Sequence, residues 1–233
     1  YRLMSFVIQP SEQASVAIDG SGERFPVRRI YCVGRNYRAH AIEMGADPDR
    51  EPPFFFMKPA DAIVENGATI AYPQKTENLH HEIELVAAIG EGGRDIQEKR
   101  ALDHVWGYGV GIDLTRRDIQ NKAKEMGRPW DMGKGFDNSA PCTALRPVSE
   151  VGHPDTTNAT IWIKVNGETK QKSTLNLHIW TTAETISYLS GLMELQAGDL
   201  IFMGTPDGVG PVMPGDTMEG HIDDVGDLTI KIA

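Results

Sequence analysis

Apolar and polar residues alternate in short segments along most of the chain, and 24 glycines and 14 prolines interrupt the alternation at close intervals. A period of two bounded by turn formers is the pattern of strands. Ser15 to Ile18 and the stretch from Phe25 flank Asp19-Gly20, while Ile161 to Val165 runs into Asn166-Gly167. Both predict antiparallel hairpins, because these dipeptides accept the left-handed backbone of a tight turn. Ala71 to Gln74, Gly90 to Gly93 and Pro211 to Asp216 read as further turns. Helical spacing is confined to four short stretches: Asn36 to Met44 before Gly45, Asp95 to Val105, Thr115 to Met126 before Gly127, and Thr182 to Met193. Thr181 with Glu184 has the spacing of a capping box, and Thr115 is placed to cap the third helix. The strands do not alternate with crossover helices. The pattern therefore predicts an α+β fold, a β-rich set of mixed sheets with short flanking helices, rather than a doubly wound parallel sheet.

Composition narrows the function classes. The chain has 233 residues, 40% hydrophobic and 24% charged, as expected of one globular domain. A net charge of −10 opposes a nucleic-acid backbone or an anionic membrane as principal partner. The longest apolar run, Leu85 to Ile89, is far below the ~18 residues of a membrane-spanning helix. The first thirty residues carry Glu12, Asp19 and Glu23 without a hydrophobic block, so no secretory signal is expected. Met4 reads as a natural start, which leaves residues 1–3 out of the fold argument. Cys32 and Cys142 are too few for a disulfide framework, and a reducing, cytoplasmic compartment is expected. There is no GxGxxG, Walker loop or GxSxG elbow, and the histidines lack zinc spacing with the two cysteines.

The chemistry concentrates in a few segments. In Leu79 to Val86 an extended chain directs Glu82 and Glu84 to one face and Ile83 and Leu85 to the other. Paired carboxylates leading into an apolar run repel each other unless a cation sits between them; the alternative is a solvated strand face. Asp113 ends the Gly-rich strand Trp106 to Leu114, where glycines 107, 109 and 111 leave room on one face. It either completes an all-carboxylate site for magnesium or manganese or caps the helix that follows. His40 and Glu43 lie three apart on a helix, the spacing of a general-base pair or of an ordinary surface pair. Lys58 and Lys134 follow apolar or Gly-rich stretches and serve either as fixed cations for a substrate carboxylate or as snorkelling surface lysines. Gly204 to Pro211 is a Gly-rich loop that either holds an anion on its backbone donors or simply turns. Glu43 with Gly45 to Arg50 is rich in turn formers, and a lid is expected there.

Five segments in order, Gly34 to Met44, His80 to Leu85, Asp113 to Gln120, Lys134 to Asp137 and Gly204 to Pro211, resemble the fumarylacetoacetate hydrolase family. Pro52 to Asp61 and Pro129 to Pro141 are similar to its short acylpyruvate hydrolases, which cleave fumarylpyruvate or maleylpyruvate in gentisate-type aromatic degradation. The resemblance implies a β-rich roll over 30–233 preceded by an N-terminal β-hairpin extension over 1–29, and a homodimer. It implies Mg2+ or Mn2+ on Glu82, Glu84 and Asp113, and a catalytic set of His40, Glu43 and Lys134. It further implies that Lys58, Arg117, Gln120 and Thr205 bind a small diketo acid substrate. The reaction implied is metal-dependent hydrolysis of the acylpyruvate carbon–carbon bond. Oxaloacetate decarboxylation or tautomerisation, and isomerisation or decarboxylation of hydroxymuconate-type diacids, are alternatives on the same fold. A β-rich module holding a structural cation without turnover is a third class.

Overall fold

In a computed structural model, which describes residues 5–43 and 51–233, the two-residue alternation becomes strands of four sheets. The expected lid over 45–50 lies outside the described residues. The largest sheet has eight strands, in the order Phe54–Lys58, Arg29–Gly34, Asp199–Phe202, Ile83–Ile89, Val105–Ile112, Ala140–Cys142 and Ile63–Glu65, with Arg146–Pro147 also paired to Val105–Ile112. It is mixed: Asp199–Phe202 runs parallel to Arg29–Gly34, and Ala140–Cys142 parallel to Ile63–Glu65. A five-stranded sheet holds the Asn166-Gly167 hairpin, with Thr160–Val165 antiparallel to Glu168–Thr174. Leu79–His81 lies between Thr115–Arg116 and Gly210–Val212 in a three-stranded sheet. The Asp19-Gly20 hairpin pairs Ser15–Ala17 with Arg24–Pro26 and packs Val16 and Phe25 into the core.

Ile83–Ile89 is buried along its whole length because both faces are covered. Ile83, Leu85, Ala87 and Ile89 meet Ile161, Ile163, Met218 and Leu228 in one core, while Val86 and Ala88 pack with Ile30, Leu200 and Phe202 in the other. Two-sided burial reads in sequence as the continuous run Leu85 to Ile89. Cys32 and Cys142 are buried and unpaired, and among the described residues no helix is long and apolar enough to cross a membrane.

The helices are shorter than the spacing predicts. Thr182–Leu192 matches, with the Thr181/Glu184 capping box in place. The helix expected over Asp95 to Val105 is only Glu98–Ala101 followed by a 3-10 turn, because Asp95 takes a left-handed backbone and Val105 opens a strand. Thr115 does not cap the third helix. It lies in a strand paired with His80, its hydroxyl facing Lys134, and the helix runs from Arg117 to Glu125. Asn36 and Tyr37 precede the first helix, Arg38–Glu43, rather than opening it. The Asn36 amide donates to the carbonyls of Trp180 and Met203 at 2.9 and 2.7 Å and accepts from the Trp180 N–H at 2.7 Å.

Candidate active site

The strand expected over Leu79 to Val86 is two strands in different sheets, broken at Glu82. At the break the Glu82 carbonyl accepts from the Asp113 N–H at 2.8 Å, which brings the ends of the two central strands together. Glu82, Glu84 and Asp113 thereby offer three carboxylate oxygens within 4.8 Å of one another, all buried. Asp113 caps no helix; its oxygens face Lys58 Nζ at 2.8 Å and Lys134 Nζ at 2.7 Å. Gly111 stands opposite Glu84 in the register. The room left by the Gly-rich strand is taken by protein, not by a ligand. A Cβ at Gly111 would lie 2.5 Å from a Phe202 ring carbon, and one at Gly107 would lie 2.4 Å from the Arg146 carbonyl.

The cations are distributed unevenly over the carboxylates. Lys134 spends its three protons on Glu82 at 2.8 Å, Asp113 at 2.7 Å and the Thr115 hydroxyl at 2.7 Å. Arg117 donates to Glu82, and to Gln120 Oε1 at 2.6 Å. Burial alone raises the Glu82 pKa, but Lys134 and Arg117 outweigh it and hold the group well below the usual carboxylate range. Burial, then Asp113 and Glu82, push Glu84 well above that range. Among the described residues Glu84 has no ion pair; its Oε2 accepts from the Gly204 N–H at 2.7 Å. A buried carboxylate without a counter-ion beside two others fits a hard divalent cation, and an all-oxygen donor set excludes soft metals.

The Gly204 to Pro211 loop does hold anions, and they belong to the protein. While Gly204 holds Glu84, the Gly208 N–H donates to both Glu43 oxygens, at 3.1 and 3.2 Å. Gly204 has φ +91, and a Cβ there would lie 2.6 Å from Asn36 Cβ, so only glycine fits this junction. Glu43 Oε2 in turn is 3.1 Å from His40 Nδ1. With Nδ1–H donating to Glu43, Nε2 is left to accept a proton.

His40, Glu82, Glu84, Arg117, Gln120, Lys134 and Thr205 all line one cavity. Thr205 accepts from Gln171 Nε2 at 2.9 Å and keeps its own hydroxyl proton to donate. Of the four residues expected to bind substrate, Lys58 is the one behind the wall: its ammonium donates to the Leu114 and Lys134 carbonyls and faces Asp113. Two further contributors escape the sequence reading. Gln171, 1% exposed, joins Thr205 and the Pro206 carbonyl to His81 and the Ile83 N–H. Its surroundings, Glu168 to Thr174, carry no apolar residue and give no signal. Lys124 lines the cavity four residues after Gln120 and seven after Arg117, a helical spacing that does signal a shared face. Burial, then Arg117 and Arg35, lower its pKa to about 8.

Comparison with known proteins agrees with this architecture. The chain is 55% identical, with a TM-score of 0.95 and 98% of this chain and 99% of the other covered, to the crystal structure of fumarylpyruvate hydrolase from Pseudomonas aeruginosa in complex with Mn2+ and pyruvate. It is 41% identical over 191 residues to a fumarylpyruvate hydrolase of Ralstonia sp, covering 81% of this chain and 98% of that protein. It is also 42% identical over 204 residues to a mitochondrial oxaloacetate tautomerase of Arabidopsis thaliana, covering 88% of this chain and 90% of the relative. The family model for the fumarylacetoacetate (FAA) hydrolase C-terminal region matches residues 29–233, which contain every element of the cavity. On that match and these identities, the chain belongs to the fumarylacetoacetate hydrolase family.

Proposed function

We propose that the protein hydrolyses the central carbon–carbon bond of an acylpyruvate, fumarylpyruvate or its cis isomer maleylpyruvate, releasing pyruvate and the corresponding diacid. The substrate would come from ring cleavage of a gentisate-type aromatic acid. The observation that carries the reading is the Gly204 to Pro211 loop, which holds a carboxylate of the candidate metal triad and the carboxylate of the His40–Glu43 pair on one backbone. A likeness to the Pseudomonas aeruginosa hydrolase with Mn2+ and pyruvate supports it.

Glu82, Glu84 and Asp113 would hold Mg2+ or Mn2+, which when bound supplies Lewis-acid stabilisation of negative charge developing on the pyruvyl oxygens. Glu43 fixes the tautomer of His40, and His40 takes a proton from water as the oxygen attacks the acyl carbonyl carbon. The bond between that carbon and the pyruvyl methylene then breaks, its electron pair leaving with pyruvate as the enolate, which is protonated to the keto acid. Lys134 holds fixed positive charge beside the developing enolate, and Lys58 keeps Asp113 oriented from behind. Thr205 and Gln120 are placed to donate to substrate oxygens.

A second reading, oxaloacetate tautomerisation or decarboxylation, is favoured by the 42% identity to the Arabidopsis thaliana tautomerase. It uses the same stabilised enolate without needing His40 to activate water. Metal-stripped protein restored with Mg2+ or Mn2+ and offered fumarylpyruvate, maleylpyruvate, acetylpyruvate and oxaloacetate in parallel separates the two. Loss of the enol absorbance with release of pyruvate plus fumarate or maleate is expected. Turnover of oxaloacetate alone would overturn the hydrolase reading.

A further inference from the structure

The cations nearest the metal triad are already committed to protein carboxylates. Lys58 is tied to Asp113, Lys134 to Glu82 and Asp113, and Arg117 to Glu82. None of them is left to meet a second substrate carboxylate at the far end of the cavity. Lys124 and Arg35 also line the cavity, and among the described residues neither has an ion pair with a carboxylate. Instead, each sits over an aromatic face: Lys124 Nζ is 5.0 Å from the Trp130 ring centre, and the Arg35 guanidinium is 5.5 Å from that of Phe54. Phe54 and Trp130 meet edge to face at 5.4 Å, so the two cations belong to one aromatic wall.

Position along the helix sets the distance. Arg117, Gln120 and Lys124 lie on one face of Arg117–Glu125, and at 1.5 Å per residue Lys124 stands ~10 Å along the axis from Arg117, which touches Glu82. A substrate anchored at the triad by its pyruvyl end would run outward along this face. Its planar unsaturated part would pass the aromatic wall, and its second carboxylate would arrive between Lys124 and Arg35. Bringing an anion there relieves the mutual repulsion of two half-buried cations.

We infer that Lys124, with Arg35 beside it, is the specificity-determining subsite for the distal carboxylate of a diacid acylpyruvate. The inference rests on the acylpyruvate reading for its substrate class. Oxaloacetate, whose second carboxylate lies one carbon from its keto group, is too short to reach it.

The test is calorimetric titration of Mn2+-loaded protein carrying His40→Ala, which slows cleavage enough for binding to be read, with and without Lys124→Met. Fumarylpyruvate should bind about 10- to 100-fold more weakly in the double variant while acetylpyruvate changes by no more than about twofold, the loss of one charge-assisted contact. Lys124→Arg should retain most of the diacid affinity. An equal loss for both ligands, or no loss for either, overturns the assignment. In steady state, Lys124→Met in otherwise wild-type protein should raise KM for the diacid with oxaloacetate kinetics unchanged. If wild-type protein leaves fumarylpyruvate uncleaved, the hydrolase reading fails, and the binding comparison still decides the role of Lys124.

Discussion

Glu84 is the carboxylate for which the fold provides no cation. It is buried opposite Gly111, and its charge is opposed by Asp113 and Glu82 while Lys134 and Arg117 serve those neighbours. Glu84→Gln should therefore leave the metal-free protein at least as stable as wild type and remove its stabilisation by Mn2+. At a concentration about 100 times Kd the wild type should gain ~2.7 kcal/mol, a Tm rise of roughly 5–10 °C for a chain of this size. A full Mn2+ shift in the variant, read by thermal unfolding, would remove Glu84 from the metal site. At this scale the sequence was informative wherever chemistry and spacing coincide, as in His40 with Glu43 and Glu82 with Glu84. It was silent on Gln171, whose burial depends on what a distant loop lays over it, and ambiguous on Lys58, since apolar flanks do not say whether an ammonium reaches a cavity or a carbonyl.

Among the elements, the Gly204 to Pro211 loop and the strand Val105–Ile112 do most to place the site. Each reverses part of the simplest expectation. The loop's donors serve Glu84 and Glu43, and the strand's glycines admit neighbouring protein: Phe202 and Val86 press on Gly111. A Cβ at 111 would sit 2.5 Å from the Phe202 ring and 2.6 Å from Val86 Cγ2. Gly111→Ala should cost about 1–3 kcal/mol in urea unfolding by overpacking. A variant as stable as wild type would mean the glycine is not required by packing. Helix ends were the least legible feature. Thr115 looks like a cap by composition, but its strand partner His80 and the Lys134 ammonium claim it. The Thr181/Glu184 box forms because both partners are local and exposed.

At the scale of the whole molecule, a chain of net charge −10 encloses a cavity whose wall carries Arg35, Arg117, Lys124 and Lys134. The acidic exterior keeps polyanions away, while the local concentration of cations suits a small dianion. Mixed sheets from interleaved parts of the chain are what bring the strand break at Glu82, the end of the Gly-rich strand at Asp113 and the loop from Gly204 into one place. The alternation of residues foretold strands and an α+β class, but their order across the sheets is set by long-range pairing, which periodicity does not encode. The central claim is that this cavity joins a divalent cation to a water-activating His40–Glu43 pair. The most direct test is kcat/KM of wild type and His40→Ala, both Mn2+-loaded, on fumarylpyruvate and on oxaloacetate. The account predicts a loss of about 10²- to 10⁴-fold in fumarylpyruvate cleavage, with oxaloacetate turnover within about tenfold of wild type. Cleavage of fumarylpyruvate undiminished by His40→Ala would contradict it.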